Sequence, residues 1–500
     1  MEDSKRYLYG AAIQGIQSFI LQSDELRDIV GASELIEEIS TNSFNNFGDD
    51  EEKTVIKAAG NIKYIFDTKE ECERAVLEFP KIVMKMAPGI TVSQAVVSYE
   101  NDSDFGDAID AIEEKLKAQR NKQITTEPVY MSMRRSRQTG MPVVKIRKGV
   151  YLDAATEAKR KKSRGGDDSS VISLSRKCFG LEKGHISHNQ IAYNIKDITD
   201  RNDWIAIIHA DGNGLGQVVQ KVGKSQEDFR EFSKRLDDAT KGAAQKAYKD
   251  ISNKYKFDDV KSRIIPIRPV VLGGDDFTVI CRADFAMEYT NVFLDEFEKR
   301  TKDKLSGIFR KYKLGMDKLT ACAGIAYIKS SYPFHYGYDL AESLCSVAKK
   351  EARGKANEIG ALAPSCIMFH KVQDSFVTDY KDIEDRELKA ADGVSFKFGP
   401  YYLKSENGAT VDDLLINIGK LNSKEGNTVK SHLRNWLNDI SINQETAKQR
   451  KDRLISNLEK NKELKELVEK VTADEKIAAY DILSLHSIMY NQTKTEDPHD

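Results

Sequence analysis

Val270-Val271-Leu272-Gly273-Gly274-Asp275-Asp276-Phe277-Thr278-Val279-Ile280 decides how this chain is read. Two apolar, β-branched runs flank a Gly-Gly-Asp-Asp step, a pattern that predicts a tight β-hairpin with a buried strand on each side. The glycines can take φ > 0 and leave bare backbone for a ligand to approach. Asp275 and Asp276 fall at the hairpin tip. Neighbouring carboxylates repel, and a fold that places both on one turn suits a divalent cation between them. The alternative is a polar turn that is merely Asp-rich.

A second stretch bears on that choice. Trp204-Ile205-Ala206-Ile207-Ile208-His209-Ala210-Asp211-Gly212-Asn213-Gly214-Leu215-Gly216 reads as a buried strand, a Gly-rich turn and the start of a helix. Backbone N–H groups around Gly212, Asn213, Gly214 and Gly216, with the helix N-terminus, suit a phosphate. Gly273 and Gly274 join them as nucleotide-binding candidates. Asp211 supplies a third carboxylate. Asp211, Asp275 and Asp276 are therefore the candidate catalytic residues. As metal ligands they would hold two Mg2+ or Mn2+ ions, with the Gly212 carbonyl as a further ligand.

Five hundred residues exceed one ordinary domain and predict about three. The formal net charge of −2, with 31% charged residues, gives the whole chain no bulk affinity for polyanions. Six cysteines (Cys72, Cys178, Cys281, Cys322, Cys345 and Cys366) lie scattered without a C-x-x-C pair, which argues for a reducing compartment and against a zinc ribbon. The sequence shows no signal peptide and no apolar run of membrane-spanning length, so a soluble, cytoplasmic protein is expected.

The first segment reads strand, helix, strand, strand, helix, strand, helix. It opens at Tyr7–Ile13, has a hairpin around Thr54–Gly60 and Ile62–Phe66, and then a helix over Lys69–Met86. The segment from Trp204 to Arg353 repeats that order. The expected fold is α+β: two ferredoxin-like palm domains, each a βαββαβ unit, followed by a C-terminal helical domain. The expected division is a non-catalytic first palm at 1–123, a basic inter-palm segment at 124–199, and the catalytic second palm at 200–365. A helical domain at 366–490 and a disordered tail at 491–500 complete it. Aligning Gly15 with Gly214 and Gly60 with Gly274 sets Ala12 against Asp211, and Asn61 and Ile62 against Asp275 and Asp276. Only the second copy then holds carboxylates, while Ala59, Gly60 and Asn61 remain candidates to face a second nucleotide.

Between the copies, eleven cations from Arg134 to Arg164 are interrupted by Asp153 and Glu157 alone. They read either as RNA contacts or as a solvated linker. Gly165-Gly166-Asp167-Asp168 lacks flanking strands and is discarded as a site. Cys178, His185 and His188 lack a fourth metal ligand. Lys349 and Arg353, four apart on a closing helix, share a face and suit a triphosphate. An ordinary basic helix end is the alternative. The charged stretch Lys448–Lys470 has a thin apolar stripe and reads as a partner surface or a solvated face.

Gly273-Gly274-Asp275-Asp276-Phe277, taken with Ala210-Asp211-Gly212-Asn213-Gly214-Leu215-Gly216, resembles the palm domain of the large polymerase-like subunit of type III CRISPR effector complexes. Ile13-Gln14-Gly15-Ile16-Gln17-Ser18-Phe19-Ile20 looks like the start of that family's first palm, and Ala58-Ala59-Gly60-Asn61 like its small-residue hairpin. Gly324-Ile325-Ala326-Tyr327 and the Lys349 helix also match, the latter shared with GGDEF diguanylate cyclases. The resemblance implies synthesis of cyclic oligoadenylates from ATP, with guide RNA, target RNA and other effector subunits as partners and no membrane. No His-Asp pair precedes the first palm, so this reads as a form without the family's HD nuclease domain. Thr139-Gly140-Met141-Pro142 stands without cysteines where the family's zinc element is sought. The rival readings are a freestanding cyclic-dinucleotide cyclase and a catalytically weak scaffold subunit.

Overall fold

The computed structural model describes residues 5–58, 60–121, 132–163, 173–181, 188–199, 203–257, 264–359, 362–373, 380–390, 394–404, 408–473 and 477–490. Its strands, in chain order, are β1 (Arg6–Gln14), β2 (Thr54–Ala58), β3 (Asn61–Phe66), β4 (Thr91–Tyr99), β5 (Val143–Arg147) and β6 (Val150–Asp153). They continue with β7 (Trp204–Gly212), β8 (Ile267–Gly273), β9 (Asp276–Arg282), β10 (Ala321–Lys329), β11 (Cys366–Lys371) and β12 (Tyr401–Tyr402). The first sheet has the order β2-β3-β1-β4, and the second β12-β11-β10-β7-β9-β8. The run β10-β7-β9-β8 repeats β4-β1-β3-β2, so the duplicated βαββαβ unit is present in the strand order itself. By density of backbone contact the chain forms two compact units. One comprises Met1–Asp197, Gly212–Val279 and Glu296–Thr320, and the other Ile198–Asp211, Ile280–Asp295 and Ala321–Asp500.

In the first unit, β1 is buried on both faces because it runs apolar from Leu8 to Ile13 and lies antiparallel between β3 and β4. Tyr9, Phe44, Phe66 and Phe79 make an aromatic cluster, with Phe44 and Phe79 edge to face at 5.3 Å. Thr68 caps the helix Lys69–Met86 by accepting from the Glu71 N–H.

The basic inter-palm run departs from expectation. Arg160 makes a bidentate pair with Asp28 at 2.8 and 3.0 Å, and both side chains are buried. Lys159, also buried, donates to the Phe19 carbonyl at 2.5 Å. Lys162 pairs with Glu38, while Lys145 and Arg147 share Glu157 at 2.9 and 2.7 Å. Arg134 lies over the Tyr151 ring. Gly31 makes this docking close: a Cβ there would lie 1.9 Å from the Lys159 carbonyl oxygen. The Lys159–Lys162 end of the run is thus an internal clamp beside the helix Leu26–Thr41, while Arg134, Arg135, Arg137, Lys145, Lys148 and Lys161 are exposed. Ala59, Arg164, the Gly165–Asp168 repeat, His185 and the tail 491–500 lie outside the described residues.

In the second unit, β11 pairs parallel with β10 from Cys322↔Cys366 to Tyr327↔Lys371, and β12 adds to its other side. The expected helical domain from 366 therefore begins with two strands of the palm's own sheet. Cys366-Ile367-Met368-Phe369 is too short an apolar run to separate a buried strand from a helix by period alone. The segment becomes helical afterwards, ending with Val411–Lys420, Lys424–Ile442, Gln444–Asn457, Lys462–Val471 and Ala478–Met489. All six cysteines are buried thiols outside any disulfide. No described helix is long and apolar enough to cross a membrane.

The last of these helices is pinned by Asp481, which accepts from the Tyr401 hydroxyl at 2.8 Å. Burial pushes its carboxyl up to about 7, against the downward pull of that bond and of the Gly399 backbone. A raised carboxyl binds its proton more tightly in the folded state, so its contribution to stability is lost as pH rises from the ordinary aspartate range through about 7. Denaturant unfolding of the chain should lose about 3–4 kcal/mol from this group over that window. Asp481→Asn should flatten that part of the pH profile. An unchanged profile would show that the carboxylate is already ionised in the fold.

Candidate functional site

Strand direction delivers the three acids. Asp211 stands at the C-terminal end of β7, followed by Gly212. Asp275 lies in the two-residue turn between β8 and β9, and Asp276 is the first residue of β9. Gly274 opens that turn at φ 62°, which a Cβ would strain. One carboxylate oxygen from each of Asp211, Asp275 and Asp276 lies within 4.8 Å of the others. Asp211 and Asp275 are half-buried and Asp276 is exposed. Among the described residues this is the one such cluster, so Cys178 and His188 form no metal site there.

The donor set fits a hard divalent cation: three carboxylates match Mg2+ or Mn2+ and lack the nitrogen or sulfur that zinc favours. Gly212 also has a steric reason. A Cβ there would sit 2.9 Å from the Asp275 Cβ and 3.2 Å from its Oδ2, so only glycine lets Asp275 approach the strand end.

Lys349 belongs to this site. Its ammonium pairs with Asp211, and the lysine side chain is only 14% exposed. The helix Phe334–Ile359 reaches that depth because Gly324 on β10 has no side chain: a Cβ there would lie 2.0 Å from the Ala341 carbonyl oxygen. Arg353, one turn further along, is solvent-exposed. His209 on β7 is buried with its ring 5.9 Å from Tyr338. Burial lowers its pKa, and the nearby Lys349 lowers it further against the opposing pull of Asp211. It is held as a neutral strand residue.

The glycine turn has two roles. Gly214 is the N-cap of the helix Leu215–Val222 at φ 78° and offers no side-chain cap, and a Cβ on Gly214 or Gly216 would meet open space. Asn213, a nucleotide-binding candidate from sequence, is instead buried. Its backbone N–H donates to the Thr320 carbonyl at 2.8 Å and its side-chain amide to the Thr320 hydroxyl at 3.1 Å. It fastens the turn. Gly273 is buried at the end of β8.

Two residues without a motif steady the hairpin. The Thr240 hydroxyl donates to the Gly274 carbonyl at 2.6 Å, and Lys177 donates to the Leu272 carbonyl at 3.0 Å while pairing with Glu37 at 3.2 Å. Each is a lone residue in a helical pattern, far from the hairpin in sequence, so no spacing rule finds it.

In the first copy, Gly15 is an N-cap at φ 63° like Gly214, so Ala12 stands for Asp211. The hairpin register is one residue off the expected alignment. β3 starts at exposed Asn61 followed by buried Ile62, as β9 starts at exposed Asp276 followed by buried Phe277. Asn61 therefore stands for Asp276, and Gly60 for Asp275. Gly60 has its N–H on the Ser40 hydroxyl and its carbonyl on the Ile13 N–H, both at 2.8 Å, so its backbone is engaged internally.

Comparison with known proteins agrees with this geometry. Residues 204–359 match the family model for Cas10/Cmr2, second palm domain. The expected kinship with the polymerase-like subunit of type III CRISPR complexes is borne out, and the second palm carries it. No curated protein matches the chain. Among solved structures the fold is similar to a chain of the Csm1–Csm4 cassette in complex with AMPPNP, at TM-score 0.55 and 15% identity, covering 98% of this chain and 70% of that one. The cassette in complex with cA3 gives TM-score 0.54 at 14% identity, and with one ATP 0.52 at 14%, both with the same coverage.

Gly212→Ala should displace Asp275 and weaken manganese binding by roughly tenfold or more in a calorimetric titration. Its melting temperature should change little. Thr240→Val, which removes one hydroxyl from the hairpin, should cost about 1 kcal/mol of stability in denaturant unfolding. Unaltered manganese affinity in Gly212→Ala would disprove the close approach.

Proposed function

We propose that this chain joins ATP molecules into cyclic oligoadenylates, as the polymerase-like subunit of an RNA-activated type III CRISPR complex. The observation that carries this reading is the set Asp211, Asp275 and Asp276 gathered within 4.8 Å in a segment that matches the Cas10/Cmr2 second palm. The likeness to a cassette solved with AMPPNP, with one ATP and with cA3 supports adenine nucleotides as the substrate class. Csm4 stands beside the matched chain in that cassette, and a subunit of that kind is the proposed neighbour here.

In the reaction the 3′ oxygen of one ATP attacks the α-phosphorus of another. The new P–O bond forms as the bridge to the β-phosphate breaks, and pyrophosphate leaves. Asp211, Asp275 and Asp276 would hold two Mg2+ or Mn2+ ions. Such ions, when bound, activate the hydroxyl and neutralise charge on the leaving group. The chain supplies position and charge. Gly212 and Gly274 keep side chains out of the space at the strand ends, and Gly214 and Gly216 leave the helix N-terminus open to phosphate oxygens. Lys349 balances Asp211 in the free protein and contributes a cation beside the triphosphate in the complex. His209 is buried in β7 and is assigned no role as a general base.

Incubating the full chain with each labelled nucleotide and manganese, alone and assembled with partner subunits and matched RNA, tests the reading. Cyclic oligoadenylate should form from ATP and rise with matched RNA. Asp275→Ala combined with Asp276→Ala should abolish product while leaving the melting temperature equal or higher, since repelling charges are removed. Substantial synthesis by this double variant would sink the assignment. Full activity of the isolated chain, indifferent to RNA, would favour the freestanding cyclase.

A further inference from the structure

At the end of β7 remote from the acids stands Trp204, the strand's first residue. Lys329, the last residue of β10, places its ammonium 4.5 Å from the indole centroid, and Lys371, the last of β11, places its own at 4.8 Å. Lys371 is anchored to the Ser487 hydroxyl at 2.6 Å, and Lys430 reaches the His486 ring at 3.0 Å. Arg434 follows Lys430 by one turn on the helix Lys424–Ile442 and is exposed.

The charges that act on Lys371, Lys430 and His486 are those of neighbouring cations. Burial pushes Lys371 down to about 8, aided by Lys329 and Arg434. Burial pushes His486 down to about 4, aided by Lys430 and Arg434. Burial likewise lowers Lys430, with Arg434 as the second cause. Among the described residues no carboxylate forms an ion pair with Lys371, Lys430 or Arg434. Two strand ends and a helix thus bring like charges together around a half-buried ammonium. Such an arrangement is unfavourable in the free protein, and a bound anion relieves it. Packing alone would be served better by apolar side chains of the same volume.

We infer that Lys371, Lys430 and Arg434, with Lys329 and Trp204, form a phosphate-binding site that takes the backbone of a nucleic-acid strand and is separate from the three-carboxylate centre. Several cations spread over three elements match successive phosphates better than one carboxylate. The arginine fork and lysine point charges are the usual phosphate donors. The indole adds an aromatic surface of the kind that single strands stack on. This surface is also distinct from the inter-palm run, whose Lys159, Arg160 and Lys162 are already paired internally.

The test uses the full chain without ATP or metal, so it is independent of catalysis. Anisotropy of a labelled single-stranded RNA is followed against salt, and Trp204 emission against inorganic pyrophosphate. Lys430→Gln combined with Arg434→Gln, changes at the patch rim, should weaken RNA binding roughly tenfold at low salt. The slope of log affinity on log salt should fall by about 1.4, or about 0.7 for each cation. The double variant at Asp275 and Asp276 should bind RNA unchanged. A pyrophosphate-dependent emission change that Trp204→Phe abolishes supports the phosphate chemistry. If it occurs without strand binding, the source is a free polyphosphate. The inference fails if RNA affinity and salt slope match the unsubstituted chain and pyrophosphate leaves the emission unchanged. It also fails if an acidic peptide of equal charge displaces RNA as well as a nucleic-acid competitor.

Discussion

Three carboxylates held within 4.8 Å repel one another, and the second palm is arranged around tolerating that repulsion. Lys349 neutralises one member. Backbone anchors fix the other two: Thr240 holds the Gly274 carbonyl, Lys177 holds the Leu272 carbonyl, and Asn213 ties the opposing turn to Thr320. Each anchor is a hydrogen bond of modest individual strength, but together they keep the hairpin from relaxing away from Asp211. Gly212 and Gly324 act by what they lack. One admits Asp275 to the strand end and the other admits the helix that brings Lys349.

Much of this was legible in the sequence because it rests on local rules. Two β-branched runs around Gly-Gly-Asp-Asp specify a hairpin, and a strand ending in Asp before three glycines specifies a turn with a free helix N-terminus. The helix Lys69–Met86 falls where the sequence places it. The duplication was legible too, since the order of elements repeats. What the sequence hid is long-range. Nothing about Lys159 or Arg160 distinguishes a buried clamp from a solvated basic run until Gly31 brings two helices together. Asn213 looked like part of a phosphate cradle because its partner, Thr320, lies more than a hundred residues away. The one-residue slip at Asn61 arose because glycine can occupy either turn position, and the step from an exposed first residue to a buried second one at the start of β3 and of β9 fixes the register.

The strand β11 shows a related effect. A short apolar run carries no period of its own, and its parallel pairing with β10 depends on the long helix Phe334–Ile359 crossing between them. The second sheet is thereby wider than its duplicate, and the surplus strands carry the attachment of the C-terminal helices through Tyr401 and Asp481.

Ala12, Gly60 and Asn61 stand in the first copy where Asp211, Asp275 and Asp276 stand in the second. Freed of rim charge, the first copy buries its acids in its helix: Asp28 against Arg160, and Glu34 near Arg268, whose side chain is fully enclosed. The two halves have thereby divided the tolerance for substitution between them. Change at Asp28 or Glu34 in the first half acts on stability, because these charges are paired and desolvated. Change at the rim of the second half falls on Asp211, Asp275 and Asp276 and leaves those buried pairs in place.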